Sequence, residues 1–149
     1  MTAATPRRRS AQNASHTVRT RLAHLDQQQP FYDHTEAKKV ESRGVEAVLN
    51  AFLLSSHPRE TGATAPTAET RQALTRLWQV QRADGAWDWL DFGLEPYETA
   101  DAVFHGATLA AMAAGSPAGL AASADAAGTA GLEKLRGYLR TGLTSQRLF

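Results

Sequence analysis

Apolar residues recur along most of this chain with the period of a helix rather than the alternation of a strand. From Glu36 to Ser55 the apolar or small positions are Val40, Gly44, Ala47, Val48, Ala51, Phe52 and Leu54, which predicts one helix bounded by Pro58. Residues 57–66 contain Pro58, Gly62 and Pro66 and read as a loop. A second helix is expected from Ala68 to Arg82, with Leu74, Leu77, Trp78 and Gln81 on one face. Thr67 suits its N-cap, and Glu69 complements the dipole in the first turn. Trp87 to Tyr97 is an aromatic connector closed by Pro96. A third helix is expected from Glu98 to Ala114, stopped by Gly115 and Pro117. Residues 116–128 read as a Ser/Ala/Gly loop. A fourth helix begins near Thr129 and carries Leu132, Leu135, Tyr138 and Leu139 on one face. Upstream, residues 1–16 read as lacking structure. Residues 17–29 predict a short helix through Val18, Leu22 and Leu25 that Pro30 ends, followed by Phe31 and Tyr32 as aromatic anchors.

The pattern repeats. Glu46-Ala47-Val48-Leu49-Asn50-Ala51 and Asp101-Ala102-Val103-Phe104-His105-Gly106 share the order acid, Ala, Val, large apolar, polar, small, 55 positions apart. Leu74 and Leu77 correspond to Leu132 and Leu135 at an offset of 58. Short Ala-rich helices also match by chance, but here both helices of a pair align in order. The chain is therefore read as all-α, built from two tandem helical hairpins.

The junction after the second helix carries the most specific motif. A helix end leaves carbonyls without partners, and Gln81 there has both a donor and an acceptor. Asp84-Gly85 turns the chain, because Gly takes the left-handed conformation without steric cost. Trp87 then folds back to shield the junction. An ordinary Asp-Gly turn beside a buried Trp is the plainer reading of Gln81, Asp84, Gly85 and Trp87. Leu77 to Trp87 resembles the QW repeat of squalene-hopene cyclases and related terpene cyclases. Residues 41–51 and 97–109 resemble inner helices of the same fold, so the resemblance covers residues 30–149. It implies part of an (α/α)6-type toroid, shared with protein prenyltransferase β-subunits, in which QW repeats are structural. About six hairpins close such a toroid and two are present here. The resemblance thus implies a fragment, or a partial toroid completed by self-association or by missing segments. The expected organisation is a basic arm over residues 1–29 and a partial toroid over 30–149.

Composition narrows the chemistry. With 149 residues and 42% hydrophobic positions, the chain supports one domain with a modest core. The net charge of +1 argues against nucleic acid as the main partner. Arg7, Arg8, Arg9, Arg19 and Arg21 all precede the first acid, Asp26. That composition is similar to a transit peptide, or is simply a basic arm. No apolar run follows it as a secretory signal would require, and none approaches the roughly 20 residues of a membrane span. A soluble, cytoplasmic chain is the favoured expectation.

The resemblance implies a cyclase's Asp-x-Asp-Asp proton donor or a prenyltransferase's zinc site with Cys. The chain has no Asp-Asp pair and no Cys. No catalytic residue is assigned, and no cofactor is expected. Glu98, Asp101 and His105 share a helix face, but one helix rarely supplies a whole ligand set, so no metal is expected either. The remaining candidates are polar stripes at helical spacing: Arg43, Glu46 and Asn50 on the first helix, Glu98, Asp101 and His105 on the third. Facing a cavity beside Trp89 and Tyr97, they would suit an isoprenoid-like or other hydrophobic small molecule; facing water, they would be solvated surface. The expected function is a squalene/terpene cyclase-like repeat protein that is catalytically incomplete. The alternative is a non-catalytic scaffold for an isoprenoid-like lipid or a protein partner. A live cyclase whose acid lies in another segment is the third reading.

Overall fold

The computed structural model describes residues 6–24, 27–56, 65–94 and 101–145. Among them the regular structure is all helical and contains no strand. The helices are α1 (Pro6–Ala23), α2 (Glu36–Ser56), α3 (Ala68–Gln79), α4 (Ala102–Gly115), α5 (Pro117–Ala122) and α6 (Ala126–Ser145).

Small residues set the arrangement. α2 packs most extensively on α4, and next on α3. Ala47 and Ala51 on α2, and Ala107 and Ala110 on α4, are all buried. Such side chains permit close approach while adding little apolar area each. Larger groups fill the centre: Leu22, Val48, Leu74, Leu77, Trp87 and Leu135 come from five different parts of the chain and are almost fully enclosed. The two repeats expected from the sequence correspond to α2–α3 and α4–α6, with α5 inserted in the second.

Four boundaries differ from the sequence expectation, the first three for a local reason. α3 ends at Gln79 rather than Arg82. The Gln81 N–H turns to the Trp78 carbonyl, three residues back, and leaves the Leu77 carbonyl for another donor. The expected loop over 116–128 contains α5. Ser116 caps it by accepting the Gly119 N–H at 2.9 Å, and Pro117 sits at the first helical position. α6 then starts before Thr129, because the Asp125 side chain accepts the Gly128 N–H at 2.7 Å. At the N-terminal side, α1 extends back to Pro6 and takes in residues read as lacking structure. Its anchor is Leu22, which is 1% exposed; Leu25 lies outside the described residues. The expected start of the third helix at Glu98 also lies outside them, and Asp101 precedes α4.

Candidate functional site

The Gln81–Trp87 segment ties the end of α3 to the body of α6. Arg82 N–H donates to the Ala86 carbonyl at 2.9 Å, and Gly85 N–H to the Arg82 carbonyl at 3.1 Å, closing a small loop. Asp84 stiffens it by accepting the Ala86 N–H at 3.1 Å and pairing with Arg82 at 2.7 Å. Gly85 has φ +97, and a Cβ there would overlap the Lys134 carbonyl of α6. The turn is thus seated directly on α6 backbone.

Two side chains tie the junction. Trp87 is fully buried and its indole N–H donates to the Leu77 carbonyl at 2.8 Å. That is the α3 carbonyl freed by the early helix end, so the indole works as a C-terminal cap. Gln81 uses one amide nitrogen twice, donating to the Gly85 carbonyl at 3.1 Å and the Gly131 carbonyl at 3.0 Å. The second bond reaches α6, so Gln81 links the first hairpin to the second. Trp78 adds to this link: its ring lies over Gly131, and its N–H donates to Ser123 at 3.1 Å. Gln81→Glu replaces the shared donor by a carboxylate facing two carbonyls. It is expected to cost about 2–3 kcal/mol in urea unfolding, against about 1–2 for Gln81→Ala. Equal small losses would show that Gln81 bears no load.

Tyr138 on α6 lies beside this junction. Its phenol is held above its ordinary value of 10.0 by burial first, and then by the Asp84 carboxylate, with Asp101 adding to the effect and Arg82 opposing it. The unfolded chain ionises this phenol first as pH rises, so the folded state loses stability above pH 10. Tyr138→Phe is expected to flatten that alkaline loss in denaturation measured across pH 9–12.

The polar stripes meet different fates. On α2, Glu46 is buried and its carboxylate accepts from Arg21 of α1 and from Arg43 at 3.4 Å. Arg43 also donates to the Gln28 carbonyl at 2.8 Å, and Arg21 to the Gln29 carbonyl at 3.2 Å. Asn50 is buried as well. Glu46 faces neither a cavity nor water, because Arg21 of α1 and Arg43 cover its carboxylate, while Arg43 itself stays partly exposed. On α4, Asp101 and His105 are exposed. Trp89 packs its ring on Gly106, tying the connector to α4. Tyr97 and Glu98 lie outside the described residues. Among the described residues no group of three His, Asp or Glu side chains is placed to hold a metal ion. Among the described residues no helix is long and apolar enough to cross a membrane.

No known protein family, curated protein or solved structure matches this chain. The site therefore has to be read from its own chemistry.

An open cleft of about 320 Å³ lies beside the junction, lined by Thr75, Trp78, Gln79, Gln81, Asp125 and Lys134 over a floor of Ala and Gly. Sequence periodicity places Trp78 and Gln81 on one face of the second helix but does not bring Asp125 and Lys134 to them. Arg21 is the other residue that sequence reasoning missed. It stands 25 positions from Glu46, and such a pairing has no local signature.

Proposed function

We propose that this chain is a squalene/terpene cyclase-like helical repeat protein of the α/α-toroid type, without catalytic residues of its own, that binds an isoprenoid-like molecule. The observation that carries the reading is the tie made by Gln81 and Trp87. One caps the end of α3 and the other reaches α6, which is the structural role QW repeats have in the family the sequence resembles. The repeat-related helices α2 and α4 pack side by side, as inner helices of such an array would. The missing acid pair supports binding without turnover, since a protonated carboxylic acid is what starts cyclisation. The ligand face in this reading is the α4 stripe of Asp101 and His105, beside Trp89.

Farnesol titrated against the intact chain, read by tryptophan fluorescence, tests the binding claim. Saturable quenching is expected, and Asp101→Ala should weaken it several-fold without changing the melting temperature. Absence of saturable binding, or an affinity unmoved by Asp101→Ala, overturns the ligand face. Incubation with squalene should give no cyclised product; any product overturns the catalytically incomplete reading.

The second reading is a scaffold completed by another chain. Met112 on α4 and Leu143 on α6 favour it, since both are more than half exposed on helices of the second hairpin. Light scattering after size-exclusion chromatography separates the two readings: a monomer that binds farnesol supports the first, and a defined oligomer without binding supports the second.

A further inference from the structure

We infer that α1 is a releasable cover over the α2 half of the polar stripe, seated by the residue pair Arg21–Leu22. Among the described side chains of α1, Leu22 is the one fully buried; Asn13, His16, Thr17, Thr20 and Ala23 are exposed. Val18 adds a partly buried apolar contact with the core, and the other contacts of the helix are polar. Arg21 pairs with Glu46, reaches the Gln29 carbonyl, and stacks 4.3 Å over the Phe31 ring. Gln72 of α3 donates to the Leu22 carbonyl at 3.1 Å. The helix therefore sits on one fully buried apolar side chain, a second that is partly buried, and a handful of bonds that water can replace.

Three further features favour release over permanence. The buried side-chain polar atoms left without a partner, among those described, are Arg19 Nε on α1 and Gln28 Oε1 in the segment that follows it. An unsatisfied buried polar atom weakens the contact that buries it. Glu46 keeps Arg43 when α1 leaves, and both become hydrated, so opening does not strand a buried charge. Finally, α1 has no acid in its first turn, where the helix dipole favours one. A helix of this length without such an acid is weak on its own and depends on its dock.

Release uncovers Arg43 and Glu46, the repeat counterparts of the open stripe on α4. The closed state presents the α4 half alone, and the open state presents both. The regulatory meaning of this switch rests on the ligand reading above; the cover itself does not.

Hydrogen exchange on the intact chain, followed by mass spectrometry, tests the cover without any ligand. The α1 amides are expected to exchange about ten-fold or more faster than those of α3, by an opening that leaves α3 closed. Arg21→Ala should speed α1 several-fold further and leave α3 unchanged, with Arg21→Lys in between. One common rate for α1 and α3, or an Arg21→Ala effect of equal size on both, overturns the cover. Farnesol titration of the same variants reads its consequence. Arg21→Ala should bind more tightly, because the closed fraction reduces apparent affinity. Unchanged affinity beside faster α1 exchange overturns control of that site. Loss of binding in every variant marks failure of the ligand reading alone, while the exchange result still decides the cover.

Discussion

Trp87→Ala is expected to lower the unfolding free energy by about 3–5 kcal/mol. The residue is fully buried within the core cluster to which α3, α4 and α6 all contribute, so its removal leaves a cavity there. The substitution also strips the Leu77 carbonyl of the indole N–H that donates to it at 2.8 Å. The ring further contacts Trp78, with centroids 6.1 Å apart. Small domains hold about 5–15 kcal/mol in total, so this one change should move the urea midpoint severely. Trp87→Phe separates the two causes. It keeps most of the apolar area and loses the donor, and is expected to cost about 1–3 kcal/mol. A loss below about 1 kcal/mol for Trp87→Ala would remove the residue from its role as the tie.

Gly85→Ala is expected to cost about 2–4 kcal/mol, and Gly93→Ala about 1 kcal/mol. The pair shares one backbone property and differs in another. Both glycines have positive φ, +97 at Gly85 and +67 at Gly93, so alanine is strained at either position. A Cβ at Gly93 meets nothing within 4 Å, whereas at Gly85 it overlaps the Lys134 carbonyl of α6. The difference between the two variants in thermal or urea unfolding measures the seating of the turn on α6. Equal losses would mean that α6 shifts freely and that the Asp84-Gly85 turn is only a turn.

The helices were legible in the sequence where a single signal decided them. Thr67 caps α3 by accepting the Thr70 N–H at 3.2 Å, and its place just before the periodic apolar residues announces it. The α2 period is equally plain, and its predicted end falls within one residue of Ser56. The Ser116-Pro117 start of α5 carried its own cap signal, but the Ala/Gly/Ser content around it reads as loop. The end of α3 was not legible, because what stops the helix is an indole ten residues later taking the Leu77 carbonyl.

The candidate site was legible in its parts but not in its assembly. Gln81, Asp84, Gly85 and Trp87 stand at a spacing that describes a locked turn, and local chemistry suffices to see it. That Gln81 reaches Gly131 depends on where α6 is placed, which no local pattern encodes. The stripe of Arg43, Glu46 and Asn50 follows from helical spacing alone. The burial of Glu46 beneath Arg21 of α1 does not, since helical spacing shows which residues share a face but not what covers that face.

By itself the sequence determined the helical class, the Gln81–Trp87 turn and the absence of a cyclase acid pair, because each depends on periodicity, on short-range backbone geometry or on which side chains exist. Tertiary structure alone decided which polar faces are open. Arg21 covers Glu46 while the repeat-equivalent Asp101 stays exposed, although the two acids occupy the same position in their repeats. The reason is physical: a side chain's charge belongs to the residue, but its desolvation belongs to whatever segment the fold brings against it.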